Sequence, residues 1–119
     1  MFINFTNHPS DNWGEKQLLE AKKYGEIKDL AFPKIDPNST SQEIQLQAKQ
    51  YVEQITSLHP KAVLVQGEMT FTYNIVRGLK EKDILVLCAC SARVAHEEHL
   101  DDGQIIKNSI FKFIQFREY

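Results

Sequence analysis

Two unbroken apolar runs, Ala62-Val63-Leu64-Val65 and Ile84 to Cys88, have the character of strands covered on both faces. Between and before them the pattern changes to helical spacing. Ile44, Ala48, Tyr51, Val52, Ile55 and Leu58 form one stripe of a helix that starts at Ser41 and stops at His59-Pro60. Phe71, Ile75, Val76 and Leu79 form the stripe of another, with Thr70 placed to cap it. Near the N-terminus, Phe2 to Thr6 reads as a strand that runs into the polar turn Asn7-His8-Pro9-Ser10. A helix over Gly14 to Tyr24 follows, capped by Asp11 or Asn12 and ended by Gly25. Glu26 to Phe32 is a further strand, closed by Pro33. Strands that alternate with helices predict a parallel sheet with right-handed crossovers, hence the α/β class.

The last third departs from that alternation. Arg93 to His99 and Gln104 to Phe116 flank Asp101-Asp102-Gly103, a hairpin turn sequence, so a C-terminal antiparallel pair is expected. Strict alternation puts Phe111 and Phe113 on one face and Ile110, Ile114 and Phe116 on the other. A strand apolar on both faces is either interior to the sheet or covered by a second subunit, and a homodimer is expected.

A length of 119 residues holds one domain, residues 1–119, with one core. The net charge of −2 argues against broad binding to duplex nucleic acid, which needs a basic surface. It leaves room for a small anion held by a few amides and one guanidinium. No apolar run approaches the roughly 18–20 residues that cross a bilayer, and the first residues have no signal-peptide pattern. A cytoplasmic protein without membrane contact is the expectation. Cys88 and Cys90, one residue apart on a strand, read as reduced buried thiols. With His96 and His99 they match no zinc spacing, and no metal or cofactor is called for.

In a parallel sheet, the loops that follow the strands share one edge, where ligands bind. Three junctions reach that edge in this reading: Asn7 to Ser10, Gln66 to Thr70, and Cys90 to Arg93. Asn7 and Gln66 offer amides for a base edge, Gly67 close backbone approach, and the amides at Glu68 to Thr70 a phosphate site. Ser10 and Ser91 add hydroxyls. Trp13 offers a stacking face or a core anchor. His8 is the candidate proton carrier and Arg93 the candidate phosphate contact. Each has a structural alternative: His8 as a turn residue, Thr70 and Glu68 as helix-start residues, Gly67 as relief in a tight turn, and Arg93 in a pair with Glu97 or Glu98.

The opening Asn4-Phe5-Thr6-Asn7-His8-Pro9-Ser10, then Trp13 and Gln17, resembles the N-terminus of small stand-alone CRISPR-associated proteins of the Csx kind. Gln66-Gly67-Glu68 and the closing Phe116-Arg117-Glu118-Tyr119 are similar to that group as well. The resemblance implies a Rossmann-like, CARF-like three-layer sandwich. It also implies a homodimer that binds a cyclic tetra- or hexa-adenylate and acts as a metal-independent ring nuclease in type III CRISPR antiviral signalling. His8 and Arg93 would then be catalytic, with Asn7, Ser10, Gln66 and Thr70 around the ring. A binder that only sequesters the messenger is the alternative, and a small interaction protein a third.

Overall fold

The computed structural model describes residues 1–119. Five strands, β1 (Phe2–Thr6), β2 (Ile27–Asp29), β3 (Ala62–Gln66), β4 (Val86–His99) and β5 (Ile105–Glu118), form one sheet in the order β2-β1-β3-β4-β5. β1 pairs in parallel with both β2 and β3, and β3 pairs in parallel with the root of β4 through Val63–Val86 and Leu64–Leu87. β5 returns antiparallel to β4. The protein is therefore α/β with a mixed sheet, parallel through four strands and antiparallel in its C-terminal pair.

Three helices connect the parallel strands: α1 (Glu15–Lys22), α2 (Ser41–Ser57) and α3 (Met69–Glu81). The alternation of side chains along each strand decides which helix each face receives. Ile3, Phe5, Val63, Val65 and Val86 point to one face, where Ile44, Ala48, Val52 and Ile55 of α2 and Phe71, Ile75 and Leu79 of α3 close over them. Phe2, Ala62, Leu64 and Leu87 point to the other, where Ala21 of α1, Trp13 and Tyr24 cover them. The chain thus crosses one face between β1 and β2, and the opposite face on both later crossovers. The reversal lies between β1 and β3, which is where open α/β sheets leave a crevice at their carboxyl edge.

Local sequence explains the helix starts. Thr40 and Glu43 cap α2 reciprocally: Thr40 Oγ1 accepts from the Glu43 amide at 3.2 Å, and Glu43 Oε1 accepts from the Thr40 amide at 3.3 Å. α1 differs from the expected cap. Ser10–Asn12 form a single 3₁₀ turn, and Gly14 takes the N-cap position without a side-chain bond. Asp11 and Asn12 are used up in that turn. β2 is also shorter than Glu26 to Phe32, because Pro33 and the buried ring of Phe32 pull the chain away from the sheet.

The largest departure concerns Cys90 to Arg93. No junction occurs there, because β4 runs on unbroken for 14 residues to His99. Its far part pairs only with β5, so the two strands leave the body as an arm. Every residue from 91 to 112 is exposed. The radius of gyration of 17.5 Å exceeds the roughly 13–14 Å of a compact chain this long, and the arm accounts for the 58 Å long axis. The register shifts once: Cys90 pairs with Gln115 but Ser91 with Phe113, so Ile114 is an extra residue on β5. That bulge resets the alternation. Phe116 lies opposite Ala89 on the same face as Phe113 and Phe111, with the Phe113 and Phe116 rings 5.0 Å apart, and not on the face of Ile110. β5 is a margin strand of the sheet, not an interior one. No helix is long and apolar enough to cross a membrane.

Candidate functional site

The segment after β1 is built around one carbonyl. His8 O accepts from Asn4 Nδ2 at 2.9 Å and from Trp13 Nε1 at 3.1 Å. The His8 amide donates to Thr6 Oγ1 at 3.1 Å, and Thr6 Oγ1 donates to Asn4 Oδ1 at 2.8 Å. Asn4, 1% exposed, also donates to Asp29 Oδ1 at 3.0 Å across to β2. Buried polar groups of this kind require partners, and here each finds one. The Asn-x-Thr-x-His spacing therefore serves first to fix the turn. Asn4, Thr6 and Asp29 carry it, and their role in the turn was not read from the sequence. The period-2 spacing of Asn4 and Thr6 within an otherwise apolar strand was the available signal.

With its backbone held, the His8 side chain is exposed at the rim of a cleft of about 810 Å³. That volume lies within the range of roughly 300–1,000 Å³ of small-molecule sites. The cleft opens at the β1–β3 reversal. Its walls come from Thr6 and His8 after β1, Asn12 to Gln17 at the start of α1, Leu64 and Gln66 of β3, Ala89 and Ser91 of β4, and Phe111 to Phe113 of β5. Gln66 Oε1 accepts from the Ala89 amide at 3.0 Å, where β3 ends before β4 does, and its NH₂ group has no partner in the chain. Trp13 is half-buried. Its ring meets Phe2 edge-on at 6.2 Å and Phe116 at 6.5 Å, so it anchors the core and also borders the cleft.

The structure brings together His8, Trp13, Gln66 and Ser91, and adds Gln17, Lys16 and Glu15, while Lys112, between Phe111 and Phe113, turns its side chain to the opposite face of β5. Lys16 was missed in the sequence. It sits in the first turn of a helix, whose place over the sheet no local pattern encodes. The remaining candidates stand elsewhere. Asn7 is exposed outside the cleft walls. Ser10 is committed to Asp29, its amide and hydroxyl each donating to Oδ2 at 3.1 Å. Arg93 lies out on the arm, where Nε and Nη2 donate to Ser109 Oγ at 3.0 and 2.9 Å rather than pairing with Glu97 or Glu98.

The junction after β3 is also occupied by the chain itself. Glu68, not Thr70, is the N-cap of α3. Its carboxylate accepts from the Thr70 amide at 3.0 Å, the Phe71 amide at 2.7 Å and the Thr70 hydroxyl at 2.7 Å. The anion position at this helix start is therefore filled, and a phosphate would have to displace a carboxylate. The same bonds, the Phe71 amide foremost, hold the Glu68 carboxyl below its ordinary pKa. Gly67 is shaped by packing: a Cβ there would lie 2.2 Å from Phe32 Cζ. Burial, then the neighbouring Cys90, pushes the Cys88 thiol up. No three His, Cys, Asp or Glu side chains are grouped to hold a metal.

The cleft joins aromatic faces, amide side chains, Lys16 and Glu15 around one imidazole at a sheet reversal. That set can stack a planar ring, read its polar edge and balance an anionic linkage. No curated protein and no solved structure matches the chain. Residues 1–117 match the Uncharacterized protein MJ1673 family, and the chain belongs to that family.

Proposed function

We propose that the cleft binds a cyclic oligoadenylate and cleaves it without a metal, in a domain of the Rossmann-like, CARF-like type, in type III CRISPR antiviral signalling. The observation that carries the reading is the cleft at the β1–β3 reversal, where His8, Gln17, Gln66, Lys16 and Trp13 converge. Adenine stacks on an aromatic face, the Gln17 and Gln66 amides take its polar edge, and Lys16 balances the phosphate charge. In the chemistry that the resemblance implies, a ribose 2′-hydroxyl of the ligand attacks the adjacent phosphorus. The P–O5′ bond breaks, leaving a cyclic 2′,3′-phosphate and a 5′-hydroxyl. The 2′-hydroxyl proton departs and the 5′-oxygen takes one up, and His8 serves that transfer. Lys16 replaces Arg93 as the charge partner in this assignment, since Arg93 is held by Ser109.

Incubation of the pure protein with cyclic tetra- or hexa-adenylate in EDTA tests the proposal. Linear products ending in a cyclic phosphate are expected, and His8→Ala should slow turnover by about 10²-fold or more. Arg93→Ala should cleave at the parent rate. His8 is the one imidazole that lines the cleft, with no second histidine to serve the other oxygen, and this favours a second reading in which the cleft only sequesters the messenger. A mobility shift without turnover would select that reading. The absence of both would discard the ligand.

A further inference from the structure

Two thiols stand together at the root of the arm, on the face of the sheet away from the cleft. Side chains alternate along β4: Val86 joins the core under α2 and α3, while Leu87 and Ala89 join the α1 side. Cys88 and Cys90 therefore share the face of Val86. Both are free, and both are half-buried, not enclosed as their sequence context suggests. They are close enough that charge on Cys90 acts on Cys88. We propose that Cys88 and Cys90 form a two-coordinate thiolate site for a soft monovalent cation, Cu(I).

Spacing decides against a disulfide. Strand residues two apart lie about 6.6 Å from each other, Cα and Cβ alike. A disulfide requires Cβ atoms at roughly 3.5–4.5 Å. β4 reaches that only by buckling, and the strand is unbroken through both residues. A metal bridge has a longer span. Two metal–sulfur bonds of about 2.3 Å, the zinc–thiolate length, set end to end separate the sulfurs by about 4.6 Å. Each thiol then leans inward by about 1 Å, with the backbone where it is.

The number and kind of ligands select the ion. No third His, Cys, Asp or Glu side chain joins the pair, so a tetrahedral zinc ion would keep two positions unfilled. Soft thiolates select Cu(I), an ion satisfied by two ligands in line. Binding is a proton exchange and not an oxidation: Cu⁺ enters, each thiol gives up its proton to solvent, and two Cu–S bonds form. The product, a bis-thiolate with one net negative charge, meets a cation already in place. Arg117 is the cross-strand partner of Cys88 and Gln115 that of Cys90, so β5 offers one guanidinium and no carboxylate at these two positions. The pair lies across the sheet from Ala89 and Ser91 of the cleft, and its ion is bound whatever ligand the cleft takes.

The test uses the full reduced chain, kept anaerobic, with one equivalent of Cu(I) supplied as its acetonitrile complex. After desalting in excess glutathione, one copper per chain should remain, with two sulfur neighbours by copper-edge X-ray absorption. Cys88→Ser and Cys90→Ser should each lose the ion and keep the far-ultraviolet circular dichroism of the parent. Should either fail to fold, alkylation of both thiols in the folded parent with iodoacetamide takes its place and should likewise abolish retention. Arg117→Gln should weaken the affinity about tenfold in competition with bicinchoninate. Copper surrendered to glutathione overturns the proposal, since the chain then holds it no better than a free thiol. Retention by either serine variant or by the alkylated parent overturns it too. So do four sulfur neighbours, one copper shared by two chains, or an affinity that Arg117→Gln leaves unchanged.

Discussion

Replacing Gly67 with alanine puts one methyl group into the ring of Phe32. The added Cβ would lie 2.2, 2.5 and 2.6 Å from Cζ, Cε1 and Cε2, so the ring has to withdraw by more than 1 Å. It has nowhere to go. Phe32 is packed against Phe5 at 5.1 Å and edge-on against Phe71 at 5.2 Å, and both neighbours are fully buried. Gly67 does not occupy the left-handed backbone region, so the cost is steric. Overpacking of this kind destabilises by about 1–3 kcal/mol. Phe32→Ala alone should cost about 3–5 kcal/mol through the cavity it leaves. The double variant has room for the methyl group and should cost no more than Phe32→Ala alone, giving a coupling of about 1–3 kcal/mol of opposite sign to the single losses. Urea unfolding measures all four chains, with an unchanged slope as the check that only stability moved. Losses that add to within about 0.5 kcal/mol would show that Phe32 is not what forbids a side chain at 67.

Two further outcomes follow from the turn and from the α3 cap. Asn4→Asp removes the donors to His8 O and Asp29 and sets a second carboxylate against Asp29. It should destabilise by about 2–3 kcal/mol at neutral pH. Part of that loss should return as the pH falls and the raised carboxyl at position 4 protonates; urea midpoints that do not depend on pH would refute the account. Glu68 has a depressed folded pKa, so its contribution is present above the unfolded carboxyl value and is lost as pH falls through the folded one. Glu68→Gln should cost about 1 kcal/mol near pH 7 and flatten the acid limb of stability against pH. An unchanged limb means the cap contributes nothing there.

The body of the fold was legible because its signals are local. Ala62 to Val65 is covered on both faces and reads as an unbroken run, and the α2 stripe repeats over four turns. Asp101-Asp102-Gly103 closes the hairpin as its composition requires, with Gly103 at φ 86°. The arm root was misread because Cys90 to Arg93 is small and polar. A strand with no layer on either side carries no apolar alternation to mark it. Thr70 looked like the cap of α3 because its type is right, but a carboxylate two residues earlier reaches two amides at once. At the site, His8, Trp13, Gln66 and Ser91 could be named because strand ends are locally marked. Lys16 could not, since its place depends on how α1 folds back. The contact of Phe32 with Gly67 joins residues 35 positions apart, and nothing in either neighbourhood announces it.

Ile114 sets the phase between two parts of one ribbon. Below it, the facing of β5 is dictated by the body, which takes Phe116 against Phe2 and Trp13. Above it, the facing is free to be chosen for the cleft, which takes Phe111 and Phe113. Drawing Ile114 into a regular place in the ladder would leave the body's half seated and turn the outer half over, sending both phenylalanines to the back of the sheet and presenting Ile110 and Lys112 in their stead. One inserted amino acid thus lets a β-strand answer to two surfaces at once.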